Sequence, residues 1–351
     1  MREGRRIKKV LICDYVSAME KDYEPTMQSV RKAYGKDVEF EICAYENDKQ
    51  LIQKLQDKDG LITGFLEIGE TILAQTPELQ CISVSGIGYS NIELEAAKKY
   101  GVTVCHIREY CTEEVAEHTF SLIGALNRNL KFYDTQIDHA HEWKYHTIAG
   151  GRNLCSQTLA VFGFGRIGKR VAQIAHAYGM KVIAVDPYTI GNAQAVEQAE
   201  ALDVKLVSAE VAFRQADIIT NHMNLTDENY HFFNEEAFAQ MERIPIFVNV
   251  GRGGSVEEAA LVKALDEGKI RAAGLDVLEA EEPDLVHCGL LNRNNVIITP
   301  HCAFYSAESI EKLQVVSGAN MGYQLAGEPE RIDEVVKLGE SLEKTKKWIL
   351  Y

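Results

Sequence analysis

Short apolar runs alternate with amphipathic, helix-like stretches along most of the chain. In the first third, the apolar runs lie at residues 9–15, 38–45, 60–65, 81–85 and 102–107. A second series lies at residues 158–163, 181–186, 204–207, 217–222, 246–250, 272–277 and 296–299. Strands that alternate with helices in this way form parallel sheets covered by helices on both faces. The pattern therefore predicts an α/β protein with two doubly wound parallel sheets.

Two long helical stretches indicate how these series are divided. Residues 112–143 form a stretch that is too long for a simple crossover between strands, so we expect it to separate two domains. Residues 306–326 form another after the last strand, and we expect this helix to pack back on the first domain. The prediction is a discontinuous first domain, residues 1–108 plus 304–351, and a second domain, residues 109–303.

The second series opens with a glycine pattern, Gly163, Gly165 and Gly168, between a strand and a helix, and the next strand ends on Asp186. This order is typical of a Rossmann domain. The glycines let the pyrophosphate of a dinucleotide approach the backbone, and the helix N-terminus supplies free amides. An acid at the position of Asp186 bonds ribose hydroxyls and repels a 2′-phosphate, which favours NAD over NADP. The alternative is a glycine turn in some other βαβ unit.

Composition narrows the classes of function. The chain has 351 residues, which favours two domains, and a formal net charge of −15, which argues against broad binding to nucleic acid or anionic membranes. Its eight cysteines include no Cys-x-x-Cys pair, so we expect reduced thiols rather than disulfides or zinc ligands. Residues 1–15 are basic and then apolar, but the apolar part is short, and we interpret it as a first strand. A cytoplasmic protein without membrane partners is the expectation.

Three polar residues lie at or just beyond predicted strand ends in the second series: Arg252, Glu281 and His301. Because ligands of doubly wound sheets bind beyond the carboxyl ends of the strands, these residues are candidates for one site. Arg252 can bind a carboxylate with two hydrogen bonds, and His301 can exchange a proton with a carbonyl oxygen. Glu281 beside His301 would orient the ring and favour the imidazolium form. This set fits hydride transfer between NAD(H) and a 2-oxo acid.

Each of these residues also has an ordinary structural explanation. Arg252 can pair on the surface, Glu281 is one of several acids in its segment, and a lone histidine is more often structural. A second group, His139, His141 and His146, has the wrong spacing for two ligands on one helical face and no completing acid or cysteine. We therefore predict no metal site.

Several of these stretches resemble the D-isomer-specific 2-hydroxyacid dehydrogenase family, from about residue 60 to residue 326. The motifs are SGIGYSNIELEAAKKYGVTV, TEEVAEHTFSLIGAL, VFGFGRIG, VNVGRGG, GLDVLEAEEP and TPHCAFYS. The resemblance implies that Arg252, Glu281 and His301 are the catalytic set and that the first domain is a flavodoxin-like substrate domain. It also implies a homodimer formed through the NAD-binding domain. The segment around the three histidines would then be an arm on the second subunit.

The same resemblance implies a set of ligand contacts at the two domains. The substrate carboxylate would meet backbone amides at Ser85, Gly86 and Ile87, and we expect Phe65 and Phe304 to shape an apolar pocket for the substrate side chain. The residues implied to contact NAD are Phe162, Gly163, Gly165, Arg166, Ile167, Gly168, Asp186, Pro187, Thr119, His222, Met223, Asn224, Leu225, Asn229, Val250, Gly251, Arg252, Asp276, His301 and Ala303.

Two functions stay open at this point. Within the family the sequence looks most similar to the C-terminal-binding-protein branch, known for NAD(H)-sensing transcriptional co-repressors, although bacterial dehydrogenases are similar. The first prediction is an NAD-dependent oxidoreductase acting on 2-oxo and 2-hydroxy acids, with ligand bound between the domains. The alternative is a co-repressor-like regulatory protein. The expected substrate loops, residues 63–69 and 83–91, contain no Lys or Arg, which disfavours a phosphorylated substrate. The role of the C-terminal tail stays open.

Overall fold

The computed structural model describes residues 6–20, 22–190 and 192–336. These residues form two compact units, 6–110 with 306–336 and 111–305. The sequence pattern places the boundaries at 108/109 and 303/304. Within the described residues, no helix is long and apolar enough to cross a membrane.

The secondary structure alternates between strands and helices through both units. The strands are β1 (Lys8–Asp14), β2 (Val38–Ala44), β3 (Gly60–Thr63), β4 (Cys81–Val84), β5 (Thr103–His106), β6 (Thr158–Phe162), β7 (Lys181–Val185), β8 (Lys205–Leu206), β9 (Ile218–Asn221), β10 (Ile246–Asn249), β11 (Ala272–Leu275), β12 (Val296–Ile298) and β13 (Glu334–Val335). The helices are α1 (Glu24–Tyr34), α2 (Asp48–Leu55), α3 (Glu70–Leu73), α4 (Leu94–Lys99), α5 (Thr112–Asn127), α6 (Leu130–Ala140), α7 (Arg166–Ala177), α8 (Pro187–Ile190), α9 (Ala193–Ala201), α10 (Ala209–Gln215), α11 (Glu235–Ala239), α12 (Glu258–Asp266) and α13 (Ala307–Ala326).

The first unit is built on a sheet with the strand order β13-β5-β4-β3-β1-β2. Strands β1 to β5 pair in parallel, in the flavodoxin-like order 2-1-3-4-5, and β13 adds antiparallel to β5. Helix α13 belongs to this unit because it packs on α1 and on β3, β4 and β5. The Ser29 hydroxyl donates to the Val315 carbonyl at 2.6 Å, which joins α1 to α13 directly. The late part of the chain thus completes the first unit.

The second unit is built on a sheet with the order β12-β11-β10-β9-β6-β7-β8, in which every pair is parallel. Chain order reverses between β6 and β9, which is the switch point of a Rossmann sheet. Below this point the core contains close aromatic contacts between Phe162, Phe213, Phe233 and Phe247, all of which are buried. The prediction of two doubly wound sheets, one flavodoxin-like and one Rossmann, is confirmed.

The expected single helix over residues 112–143 is interrupted. Asn129 adopts a left-handed backbone with φ 55°, so α5 ends and α6 begins on either side of it. Asn tolerates this conformation better than most side chains, and its amide Nδ2 donates to the Ala149 carbonyl at 3.1 Å. Helical periodicity continues across the break, which is why the sequence pattern does not reveal it.

Candidate functional site

Arg252 lies in the tight turn that follows β10. At Gly253, a Cβ atom would lie 1.7 Å from the Leu278 carbonyl oxygen, so only glycine allows the turn to pack against this neighbouring backbone. The half-buried Arg252 donates from Nη1 to the Gly251 carbonyl at 2.9 Å. Among the described residues, no carboxylate is close enough to form an ion pair with it. The turn therefore presents a guanidinium that forms no ion pair within 4.0 Å among the described residues.

Glu281 and His301 are in direct contact. The Nδ1 atom of His301 lies 2.7 Å from Oε2 of Glu281. Burial raises the pKa of Glu281, but the hydrogen bond and charge of His301, together with the charge of Arg252, outweigh it, so this pKa lies below its ordinary value. Glu281 is thus kept as a carboxylate beside the imidazole, within electrostatic reach of Arg252. The structure brings the three predicted catalytic residues into one region of the second unit.

Asp276, at the end of β11, holds the turn that carries His301. Its Oδ1 accepts hydrogen bonds from the Thr299 hydroxyl at 2.5 Å and the Cys302 amide at 2.9 Å, and its Oδ2 accepts from the Ala303 amide at 2.9 Å. The His301 amide donates to the Asp276 carbonyl at 2.7 Å. Asp276 and Ala303 hydrogen-bond to each other within this turn, and the contact of either residue with the cofactor stays a prediction.

His118 is a member of this site that the sequence did not indicate. Its Nε2 lies 3.0 Å from the Thr299 hydroxyl, which in turn bonds Asp276. The adjacent Thr119, predicted to contact the cofactor, is fully buried, and its hydroxyl donates to the Val115 carbonyl at 2.7 Å. In the sequence, a histidine on a helix looks the same whether it packs in the core or bonds to a site residue, as His118 does to Thr299.

The glycine motif forms a cradle at the N-terminus of α7. Gly163 has φ 87°, a left-handed conformation that glycine adopts without strain, and it makes the turn out of β6. Gly165 is the N-cap and provides no side-chain hydrogen bond, so the first amides of α7 have no side-chain cap there. A Cβ atom added at Gly165 would meet nothing within 4 Å. Open space before uncapped amides at a helix N-terminus fits the pyrophosphate of NAD.

The acid predicted for the ribose hydroxyls lies at the end of β7. Asp186 is largely buried; its Oδ2 accepts from the Phe164 amide at 2.7 Å and its Oδ1 from the Tyr188 amide at 2.9 Å. These bonds fix the carboxylate beside the glycine turn, at the start of α8. Its contact with a ribose stays a prediction, as do the contacts of the neighbouring motif residues Arg166, Ile167, Gly168 and Pro187.

A second cofactor candidate loop follows β9. His222 has both ring nitrogens buried, and neither has a hydrogen-bond partner among the described residues. Burial lowers the pKa of His222 to about 3. Farther along, the buried Asn229 donates to the Asn224 carbonyl at 2.7 Å and accepts from the Thr226 amide at 2.7 Å, which holds the shape of the loop. A buried imidazole without partners, at a predicted dinucleotide site, is compatible with a bound polar ligand.

The remaining substrate candidates are divided between the two units. In the first unit, Phe65 follows β3, and Ser85, Gly86 and Ile87 follow β4. The Asp14 carboxylate accepts from the Phe65 amide at 3.2 Å, which ties this loop to the end of β1. In the second unit, the Phe304 ring lies 6.3 Å from the His301 ring, centroid to centroid. Their contact with substrate stays a prediction.

The cluster of three histidines does not gather metal ligands. Throughout the described ranges, no group of three or more His, Cys, Asp or Glu side chains is placed to hold a metal ion. His141 instead takes the left-handed position that ends α6, with φ 54°.

One polar group beneath Arg252 was not anticipated from the sequence. Asn221 and Asn249, which end β9 and β10, and Ser255, in the turn after Arg252, are fully buried and hydrogen-bonded to one another. The available signal was an asparagine near the end of each of two apolar runs, where a hydrophobic residue is normal.

The titration of His222 makes a testable contribution to stability. The pKa of an unfolded histidine is about 6.5, whereas the pKa of His222 in the folded protein is about 3. The unfolded chain therefore binds one more proton than the folded protein between these pH values. The free energy of unfolding should fall as the pH is lowered through this window, by at most about 1.4 kcal/mol per pH unit for this group. Denaturant titrations without cofactor should show a shallower pH slope for His222→Met. The same change at the exposed His139 is the control, and an equal slope in both variants would contradict the expectation.

Comparisons with known proteins agree on one family. Residues 120–303 match the family model described as D-isomer specific 2-hydroxyacid dehydrogenase, NAD binding domain. D-3-phosphoglycerate dehydrogenase 2 of Arabidopsis thaliana is 35% identical over 80% of this chain, and the chain spans only 45% of the length of that relative. Glyoxylate reductase of Aeropyrum pernix is 34% identical over 77% of this chain and 81% of its own length.

A solved structure adds a match over nearly the full length. The crystal structure of D-lactate dehydrogenase from Aquifex aeolicus, complexed with NAD and lactic acid, superposes with a TM-score of 0.82 at 28% identity. It covers 95% of this chain and 100% of that one.

Proposed function

The chain belongs to the family of D-isomer specific 2-hydroxyacid dehydrogenases, and from this membership we propose that it is an NAD(H)-dependent oxidoreductase that interconverts 2-oxo acids and D-2-hydroxy acids. The predictions of the family and of NAD as the cofactor are confirmed by the matching NAD-binding domain. The chain spans about half the length of two phosphoglycerate dehydrogenases that it matches, 45% and 53%, so the activity and substrate remain our proposal.

The contact between His301 and Glu281 carries the proposal. It lies in an NAD-binding unit, and the positive charge of Arg252 reaches the same carboxylate. A fixed carboxylate on Nδ1 sets the orientation of the ring, so Nε2 is the nitrogen that we assign to proton exchange with substrate. Arg252 is assigned to the substrate carboxylate and carbonyl oxygen, because it is a guanidinium without a counter-ion among the described residues.

The proton and charge balance of the reaction follow from these assignments. Bound NAD(H) supplies or accepts the hydride at the carbon that carries the oxygen. In reduction, His301 gives its Nε2 proton to that oxygen as the negative charge develops, and in oxidation it takes the proton back. Glu281 stays ionised and holds the ring through Nδ1. General acid catalysis of this kind contributes about 10²–10⁴-fold in rate.

We assign a small substrate without a phosphate group. The loops after β3 and β4, residues 63–69 and 83–91, contain no Lys or Arg to bind a second anionic group. Phe304, beside His301, is an apolar neighbour for the substrate side chain. Although four of the relatives are named D-3-phosphoglycerate dehydrogenase, two others are named glyoxylate reductase, and glyoxylate has no phosphate.

The co-repressor alternative is not favoured. The relatives named by the comparisons are dehydrogenases and reductases of 2-hydroxy and 2-oxo acids. The resemblance to the C-terminal-binding-protein branch stays a prediction. All eight cysteines are free thiols, which supports assigning the enzyme to the reducing cytoplasm.

A homodimer through the second unit is also part of the proposal. Leu130 and Ile137 on α6 are 55% and 42% exposed, and Trp143 and Tyr145 in the following segment are 89% and 85% exposed. Large exposed apolar side chains that follow one another along a short stretch of chain are typical of a protein–protein interface. We assign a second copy of the chain to this surface.

The activity is tested by following NADH oxidation with a panel of 2-oxo acids, including glyoxylate, pyruvate, hydroxypyruvate and phenylpyruvate. We expect turnover on at least one acid and a loss of about 10³-fold in kcat/KM for Arg252→Ala, because the substrate carboxylate loses its cation. Arg243→Ala is the matched control. Arg243 forms an ion pair with Asp217 at 3.3 Å, and this pair lies away from the proposed substrate position. Tight NADH binding without turnover on any acid would contradict the proposal and favour a regulatory protein.

The charge of Glu281 is tested separately by Glu281→Gln, which keeps the shape of the side chain. Without the carboxylate, the charged acceptor that fixes the His301 ring through Nδ1 is lost, so kcat/KM for reduction should fall by about 10²-fold, the cost of a displacement of about 1 Å at a reacting group. The control is Glu279→Gln, because Glu279 makes a similar pair with His231 at 2.8 Å. A kcat/KM for Glu281→Gln that is no lower than that of Glu279→Gln would remove Glu281 from the catalytic set.

The proposed dimer is tested by sedimentation or light scattering of Trp143→Asp. A charge at the centre of an apolar interface should shift the protein toward the monomer, because the carboxylate would be buried without a partner. Val286→Asp changes a residue that is equally exposed, 87%, outside this surface and should leave the mass unchanged. A wild-type protein that sediments as a monomer would refute the assignment.

A further inference from the structure

Three fully buried polar side chains form one network beneath the Arg252 turn. The Asn221 amide Nδ2 donates to Asn249 Oδ1 at 3.0 Å and to Ser255 Oγ at 2.8 Å. Asn221 and Asn249 are directly opposite each other on the parallel strands β9 and β10. The network therefore spans the carboxyl ends of two neighbouring strands, β9 and β10, next to the switch point of the sheet.

One branch of this network ends on the backbone of Arg252. The Arg252 carbonyl accepts from Asn249 Nδ2 at 3.2 Å and from the Ser255 hydroxyl at 2.7 Å. The Gly251 amide donates to Asn249 Oδ1 at 3.1 Å. The peptide group after the Arg252 Cα and the peptide group before the Gly251 Cα are thus both held, which restricts the direction in which the Arg252 side chain leaves the turn.

The other branch ends on the loop that is predicted to contact NAD. The Met223 amide donates to Asn221 Oδ1 at 3.1 Å. Met223 is the first residue of the 223–225 segment of that loop, and Asn221 is the only one of the three that bonds both this loop and the Arg252 branch. One small group of side chains therefore joins the proposed cofactor loop to the proposed substrate cation.

A purely structural explanation accounts less well for these residues. Buried amides and hydroxyls add little net stability even when they are bonded, and apolar side chains would fill the same volume. What hydrogen bonds supply and apolar contacts do not is a single orientation. Here that orientation is given to the backbone of Arg252, whose long, flexible side chain hydrogen-bonds through its guanidinium to the Gly251 carbonyl.

We propose that Asn249 and Ser255 are positioning residues that hold Arg252 in the geometry needed to bind the 2-oxo acid, and that Asn221 couples this geometry to the NAD loop. This inference rests on the proposed function, because it assigns the network to the substrate role of Arg252. None of the three side chains is assigned a contact with substrate.

The test begins with Ser255→Ala, which removes one donor to the Arg252 carbonyl. We expect kcat/KM for the 2-oxo acid to fall about 10–100-fold, since a displacement of about 1 Å at a reacting group costs about 10²-fold. The Kd for NADH, measured by fluorescence, should change less than about threefold. Asn221→Ala should weaken NADH binding as well as substrate turnover, because it removes both branches.

A double-mutant cycle separates positioning from a general loss of stability. In an Arg252→Ala background, Ser255→Ala should have almost no further effect on kcat/KM, because the group that it positions is absent. Ser208→Ala is the matched control: Ser208 caps α10 by accepting from the Val211 amide at 3.4 Å, so its loss lowers the unfolding temperature but not kcat/KM. Ser255→Cys keeps the packing and a weak donor, and a smaller loss of about 3–10-fold is expected.

The outcomes distinguish the two levels of the proposal. An unchanged kcat/KM in Arg252→Ala would overturn the proposed role of Arg252 itself. A normal effect of Arg252→Ala, with no more loss in Ser255→Ala than in Ser208→Ala, would overturn only the positioning role. Equal losses from Ser255→Ala with and without Arg252 would also overturn it. If Ser255→Ala does not fold, the same comparisons with Ser255→Cys decide the question.

Discussion

The parallel pairing of β6, β9, β10, β11 and β12 is the constraint on which the proposed chemistry depends. Because all five strands run in the same direction, their carboxyl ends lie along one edge of the sheet. The glycine turn, the His222 loop, the Arg252 turn, Asp276 and His301 each follow one of these ends. Residues that are far apart in the chain are thereby presented along one edge of the sheet.

The strand ends alone do not determine where side chains point. Short polar side chains also orient the turns by hydrogen-bonding to their backbone. Asp276 collects two amides and a hydroxyl from the turn that carries His301. That turn includes a non-glycine residue at φ 49°, His301 itself, a conformation that costs about 1–3 kcal/mol and persists only when its surroundings enforce it. The buried asparagines at the ends of β9 and β10 do the same for the neighbouring turn. Both turns are held from the side of the core.

The sequence predicted the sheets, and it indicated which polar residues follow their strand ends, because these features leave local signals. Apolar runs of strand length, a spaced glycine pattern and polar residues just beyond strand ends all lie within a few positions of one another. Asp276 was expected to contact the cofactor, whereas its bonds to Thr299 and Cys302 depend on β11 and β12 being neighbours. The partnership of His118 with Thr299 joins residues in a helix and a distant strand end. Such contacts, like the pairing of the two-residue β13, follow from tertiary structure and not from pattern.

The return of α13 to the first unit has a consequence for biosynthesis. Strands β1 to β5 leave the ribosome early, yet the helix that covers α1 and three of these strands is translated only after residues 111–305. At about 5–20 residues per second, that delay is roughly ten to forty seconds. During this interval the nascent first unit has an uncovered apolar face, including Val30 and Ile62, that α13 will later help to bury. The second unit, whose strands are contiguous in the chain, can complete its core first, so the order of folding is expected to run opposite to the order of synthesis.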